Sequence, residues 1–148
     1  SVADPAFAAA VDEALAERSD ELGDYPADVF LYGQHLLAGD GPEYYARAQR
    51  ARELVTAGVA DALAGVDVLA GPTTPMVAPA WEGENYLEDS TLDEAVRTTG
   101  PFNLTGNPAV SVPCGTESGL PVGLQFVAPR GADATALRAA AIWEAVDR

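Results

Sequence analysis

The chain has 148 residues, one domain's worth and long enough to bury a core, with 23 acidic residues against 8 basic ones and a formal net charge of −15. Such a surface repels phosphate backbones and anionic lipid, so direct binding to nucleic acid or to a membrane surface is not expected. The single cysteine, Cys114, rules out an intrachain disulfide and a cysteine metal cluster, and the single histidine, His35, rules out a histidine-rich metal site within the chain.

All basic residues are arginine, and lysine is absent. The acidic excess reads as a solvated surface. It fits a high-salt, halophilic-like cytoplasm, where ions screen self-repulsion, as well as a GC-rich genome that favours Ala, Arg and Asp over Lys. No apolar run approaches the roughly 18 residues of a membrane span, and no secretory signal pattern is present. A cytoplasmic location is therefore expected. The chain begins at Ser1 and its only methionine is Met76, the pattern expected of a truncated or processed chain.

Asp4-Pro5 offers an N-cap and a first-turn proline to an Ala-rich helix over Ala6 to Ala16. Val29 to Leu37 reads as a short helix, with Gly39-Asp40-Gly41-Pro42 as a breaker. Glu43 to Leu63 carries the strongest periodicity. Tyr44, Ala48, Ala51, Val55, Val59, Ala62 and Leu63 recur at spacings of three and four, as on a helix with one buried face, and Gly65 supplies the stop. Val66 to Ala70 reads as a buried strand ended by Gly71-Pro72. A surface loop is expected over 75–90. Thr91-Leu92-Asp93-Glu94 is a capping-box pattern opening a short helix to about Thr98. Ala109 to Pro113 and Val122 to Ala128 read as strands that pair antiparallel across a Gly115–Gly119 turn, and Asp133 opens a last helix through Val146.

Phe102-Asn103-Leu104-Thr105-Gly106-Asn107-Pro108 reads as a corner: Gly and Asn permit positive φ and Pro108 fixes the entry into the next strand. This corner, then Ser111-Val112-Pro113 with Gly115, then Gly119-Leu120-Pro121-Val122-Gly123-Leu124-Gln125 resembles, in order, a signature of the amidase signature family, enzymes that cleave carboxamide C–N bonds. Upstream, Asp67-Val68-Leu69 with Gly71-Pro72-Thr73-Thr74-Pro75 resembles the family's strand and Pro-Thr-x-Pro loop, and Tyr44 to Arg52 resembles its preceding helix. The resemblance covers residues 30 to 148. It implies an α/β fold with helices packed on a mixed β-sheet, the C-terminal part of an amidase signature fold, with a single domain expected over 1–148.

The family uses a nucleophilic serine and a bridging serine in a Gly/Ser-rich segment, with an upstream lysine as base. A lysine with a lowered pKa can take a serine's proton. This sequence has neither the segment nor a lysine, and Ser1, Ser19, Ser90, Ser111 and Ser118 stand in other contexts. No catalytic residue is therefore carried over, and no cofactor or metal is implied. Bond cleavage is expected to lie in a missing N-terminal catalytic portion, the first partner of this chain; a homo-oligomer is left open. A chain cut from such a partner should expose an apolar patch.

Three residues stand as candidate substrate contacts. Arg52 falls on the helical arc of Ala48, Val55, Val59 and Leu63, where a guanidinium must meet an anion or several carbonyls. It reads as an internal salt bridge or as a receptor for a substrate carboxylate. It matches an arginine with the latter role in the related A subunits of tRNA-dependent amidotransferases. Those proteins also carry an aspartate before the corner, where this chain has Ala95-Val96-Arg97-Thr98. Thr73, with Thr74, ends a strand where open α/β sheets place ligands, or else satisfies a turn. Phe102 is a pocket wall or core. A Cys114–His35 pair has no orienting partner, and Cys114 reads as a small buried thiol. The implied activity is hydrolysis of a small amide substrate through a serine acyl-enzyme. An amidotransferase A subunit fragment and a non-catalytic binding or assembly module are the alternatives.

Overall fold

The computed structural model describes residues 4–39, 41–80 and 94–146. They form two compact units, Ser1–Ala48 and Gln49–Arg148.

In the first unit, helix α1 spans Pro5–Arg18. Its start follows from the sequence: the Asp4 carboxylate accepts the Ala6 N–H at 2.8 Å, and Pro5 sits where a missing N–H costs nothing. A 3₁₀ turn over Ser19–Glu21 follows, with Glu21 ion-paired to Arg18 on the surface, where such pairs contribute little. Helix α2 spans Asp24–Ala38, five residues earlier than Val29, because Pro26 in the first turn is compatible with helix. Leu31 and Tyr32 on it are 69% and 61% exposed. Helix α3 spans Gly41–Ala62. Gly41 and Pro42 thus open this helix instead of belonging to a breaker, while Asp40 lies outside the described residues.

The buried stripe of α3 in the second unit differs from the expected one. Gln49, Arg52, Thr56 and Val59 are half-buried and Leu63 is buried, whereas Ala51, Val55 and Ala62 are exposed. The spacing of three and four is retained, but the face is rotated. Polar side chains occupy it because their hydrogen-bonding groups are satisfied there: Arg52 Nε donates to the Leu104 carbonyl at 2.8 Å, and Thr56 Oγ1 donates back along its own helix to the Arg52 carbonyl at 2.8 Å. Gly65, at φ +83°, ends the run.

Strand β1 spans Leu69–Pro72, strand β2 Ala109–Glu117 and strand β3 Leu120–Val127, in the order β1-β3-β2. Both pairings are antiparallel. A parallel pair, which a mixed sheet requires, is not found among the described residues. Gly71 and Pro72 do not end β1 as expected. They pair with Gln125 and Leu124, and an edge strand tolerates a proline because its outer side needs no donor. Residues 66–68 stay outside the ladder, although Val68 packs on the core.

The β2–β3 hairpin turns through Ser118 and Gly119, both at positive φ, the two-residue geometry whose twist suits paired strands. A bulge between Pro113 and Thr116 contains Gly115 at φ +113° and lets β2 run past Pro113. Helix α4 spans Gly100–Thr105, where a turn was expected. Pro101 opens it, and Gly106 at φ +73° closes it by donating to the Phe102 carbonyl at 2.8 Å. Of the expected capping box only Glu94 is described: residues 94–96 are helical and 97–99 form a turn. The loop expected over 75–90 is described to residue 80.

Helix α5 spans Asp133–Val146, with the expected bounds, and packs on β2 and β3. The core is Val112, Phe126 and Ala140, with Val110, Leu124 and Trp143 against it. The Phe126 and Trp143 rings lie 6.5 Å apart at 57°, and Trp143 Nε1 donates to the Pro113 carbonyl at 3.0 Å. No helix among the described residues is long and apolar enough to cross a membrane.

Candidate functional site

Gln125 organises the sheet end that faces α4. It is 5% exposed, and its Nε2 donates to the Pro72 carbonyl at 3.1 Å and the Thr98 carbonyl at 2.9 Å. Thr98 Oγ1 in turn donates to the Thr73 carbonyl at 2.6 Å. Side chains thus hold residues 97–99 beside β1, outside the ladder. A cleft of about 230 Å³ results, lined by Leu69–Pro72, Arg97, Thr98, Pro101, Phe102, Gln125 and Val127.

Just beyond β1, the Thr73 hydroxyl lies 2.5 Å from Ser111 Oγ, and the Thr73 N–H donates to the Gly123 carbonyl at 2.8 Å. Gly123 makes room for the pair. A Cβ there would stand 2.7 Å from Thr73 Oγ1 and 2.8 Å from Ser111 Oγ. The glycine of the Leu-Pro-x-Gly-Leu-Gln strand is therefore a close-approach position.

Behind α4, Thr105, 1% exposed, donates through Oγ1 to Asn107 Oδ1 at 2.7 Å, and Asn107 Nδ2 donates to the Ala128 carbonyl at 2.8 Å. The Ala128 N–H donates to the Pro108 carbonyl at 3.0 Å. The corner after α4 is pinned to the end of β3, which fixes where Phe102 and Leu104 project.

Arg52 reaches the C-terminal end of α4 from α3. Its Nε bond to the Leu104 carbonyl satisfies one of the helix's terminal acceptors, as a cation at that end does well. The internal salt bridge expected as one reading is not present among the described residues. Arg52 also lines an open groove of about 460 Å³ with Gln49, Glu53, Thr56, Ala57, Ala60 and Arg130.

The candidate residues therefore gather around α4 without sharing one cavity. Phe102 lines the cleft, Thr73 sits at its β1 edge in a hydroxyl pair, and Arg52 occupies the groove at the helix's C-terminal end. Thr74 satisfies its own loop, donating to the Met76 carbonyl at 2.9 Å. Cys114 is half-buried on β2, beside the bulge, and His35 lies in the first unit in a groove with Tyr44 and Arg47. Gln125, Thr98 and Arg130 were not among the sequence candidates. The first two are read only once β1 and residues 97–99 are known to flank β3. Arg130 follows Pro129 in a loop, where no periodicity marks it.

A family model described as Amidase matches residues 7–137. The chain belongs to the amidase family. The A subunit of the glutamyl-tRNA(Gln) amidotransferase of Halobacterium salinarum is 40% identical over 128 residues, covering 86% of this chain and 30% of that protein. A crystal structure of an amidase superposes with a TM-score of 0.74 at 29% identity, over 90% of this chain and 31% of that one. The A subunit of the glutamyl-tRNA(Gln) amidotransferase of Thermotoga maritima gives a TM-score of 0.61 at 25% identity, over 83% of this chain and 27% of that one. The chain thus spans under a third of the length of these relatives.

Proposed function

We propose that these residues are the C-terminal portion of an amide hydrolase that converts a small carboxamide to carboxylate and ammonia. A serine hydroxyl attacks the carbonyl, the C–N bond breaks as ammonia takes a proton, and water then releases the acyl group from the serine ester. The observation that carries this reading is an amidase-family chain without a single lysine. The Ser-Ser-Lys chemistry then belongs to residues outside these 148. This chain supplies pocket walls: Phe102 in the cleft, Thr73 at its edge, and Arg52 for a substrate carboxylate. Its catalytic partner is the remainder of the same cytoplasmic enzyme.

The second reading is an amidotransferase A subunit fragment, favoured by the names of the relatives above. The cleft beside α4 is lined among the described residues by Arg97 and by no carboxylate, and the carboxylate that lines the groove with Arg52 is that of Glu53. Co-purification of the intact protein with a second subunit would favour the transferase.

The test is ammonia release from a panel of small amides by the purified chain alone, which should be flat. Turnover by the chain alone would overturn the reading.

A further inference from the structure

The cleft beside α4 contains one acceptor that the fold leaves unused. Gln125 is 5% exposed, and both hydrogens of its Nε2 are taken, by the Pro72 carbonyl at 3.1 Å and the Thr98 carbonyl at 2.9 Å. Two carbonyls at one end fix that end as the nitrogen, so the other end is Oε1. Oε1 accepts no hydrogen bond among the described residues. Side-chain oxygens and nitrogens sealed from solvent all have partners among those residues, so Oε1 is not sealed. Pro72, Thr98 and Gln125 all line the cleft, and the oxygen opens into it. A deeply set carbonyl oxygen without a donor costs free energy that a ligand N–H recovers.

Two neighbours fit a ligand at this oxygen. Gly71 is the register partner of Gln125, so a side chain there would rise on the same face of the sheet. A Cβ on Gly71 would meet nothing within 4 Å, and its φ lies outside the left-handed region. Neither the backbone nor a protein neighbour requires the glycine, and its effect is to leave open the space beside Gln125. Arg97 lines the same cleft, and its guanidinium makes no hydrogen bond or ion pair among the described residues. The cleft thus holds an acceptor without a donor and a donor without an acceptor.

We infer that this cleft binds a carboxamide group, whose N–H donates to Gln125 Oε1 and whose C=O accepts from Arg97. Leu69, Pro101 and Phe102 offer an apolar wall to the substituent of the amide. A carboxylate could pair with Arg97 but has no proton for Oε1. Arg97 is exposed, where an ion pair is worth little, whereas the unmet acceptor is costly, so the neutral amide is preferred. That the bound amide is the substrate rests on the amide-hydrolase reading above; the match of donor and acceptor does not.

The experiment is titration of the purified chain with benzamide, followed by NMR on the side-chain amide of Gln125. Benzamide should shift those resonances and bind about tenfold more tightly than N,N-dimethylbenzamide, which keeps the C=O but has no N–H. Benzoate should also bind more weakly than benzamide. Arg97→Met should weaken benzamide severalfold. Gly71→Val fills the opening with a side chain suited to a strand, and it should abolish the shift while the urea midpoint stays at the parent value. The inference is overturned if the dimethyl amide binds as well as benzamide, if benzoate binds more tightly, if the Gln125 resonances do not move, if Arg97→Met binds like the parent, or if a Gly71→Val chain with the parent's midpoint still binds. Each of these leaves the hydrolase reading standing. Ammonia release by the chain alone sinks that reading and leaves the preference of the cleft to be read from the same titrations.

Discussion

Replacing Gly123 with alanine tests whether the hydroxyl pair at the edge of the cleft requires a bare backbone opposite it. The φ of Gly123 lies outside the left-handed region, so alanine brings no backbone strain and the cost is one of space. The new methyl would meet Thr73 Oγ1 at 2.7 Å, Ser111 Oγ at 2.8 Å and Thr73 Cβ at 3.2 Å. Rotating the two hydroxyls away relieves the first two contacts but not the third, because Thr73 is tied by its own N–H to the Gly123 carbonyl at 2.8 Å. Overfilling of this kind costs about 1–3 kcal/mol. Loss of the Thr73–Ser111 hydrogen bond adds about 1 kcal/mol. The expected destabilisation is therefore about 2–4 kcal/mol, read as a lower midpoint in urea with an unchanged slope. Ser111→Ala removes one of the crowded oxygens, so the double variant should lose less than the two single losses together. A cost below about 0.5 kcal/mol for Gly123→Ala, or strict additivity with Ser111→Ala, would refute the close-approach argument.

Gln125→Met keeps the volume but removes the donor to the Pro72 and Thr98 carbonyls; it should cost about 2–3 kcal/mol and speed amide exchange at residues 97–99, both measurable on the purified chain. Trp143→Phe keeps a ring against Phe126 but leaves the Pro113 carbonyl without its donor, so the urea midpoint should fall by an amount equal to about 1 kcal/mol.

What the sequence discloses depends on how local its cause is. The Asp4-Pro5 start of α1 and the bounds of α5 are legible because caps and periodicity act within one turn. The antiparallel pairing of the hairpin is legible because two apolar runs flank a Gly-rich stretch, but the expected Gly115–Gly119 turn narrows to Ser118-Gly119 because the bulge at Gly115 carries β2 on to Glu117. The face of α3 is misread because Arg52, half-buried, is satisfied by a carbonyl 52 residues away, which no window of sequence contains. Gly71-Pro72 is misread as a strand end because only the sheet order makes β1 an edge. Phe102-Asn103-Leu104 reads as a turn because six residues are too few for a helical period to declare itself. The same distinction governs the site. Arg52, Thr73 and Phe102 are the candidates the chain offers, but which of them lies in the cleft, at its edge or in the groove depends on the long-range bonds of Gln125, Thr98 and Arg52.

The polar side chains nearest the cleft leave little room for chemistry of their own. The nitrogen of Gln125 is spent on two carbonyls, the hydroxyl of Thr98 on a third and that of Thr74 on a fourth, while the Thr73 and Ser111 hydroxyls engage each other. Each bond holds backbone that the sheet does not reach, and none places a base against a nucleophile. A serine needs a proton acceptor within hydrogen-bond reach, and Ser111 has a threonine hydroxyl there. The charged groups not so committed include the guanidinium of Arg97 in the cleft and, in the groove, the terminal nitrogens of Arg52 and the guanidinium of Arg130; a guanidinium can attract an anion but cannot accept a proton near neutral pH. On the function proposed above, the proton transfers of cleavage belong to residues outside these 148, and this chain contributes walls to the substrate site.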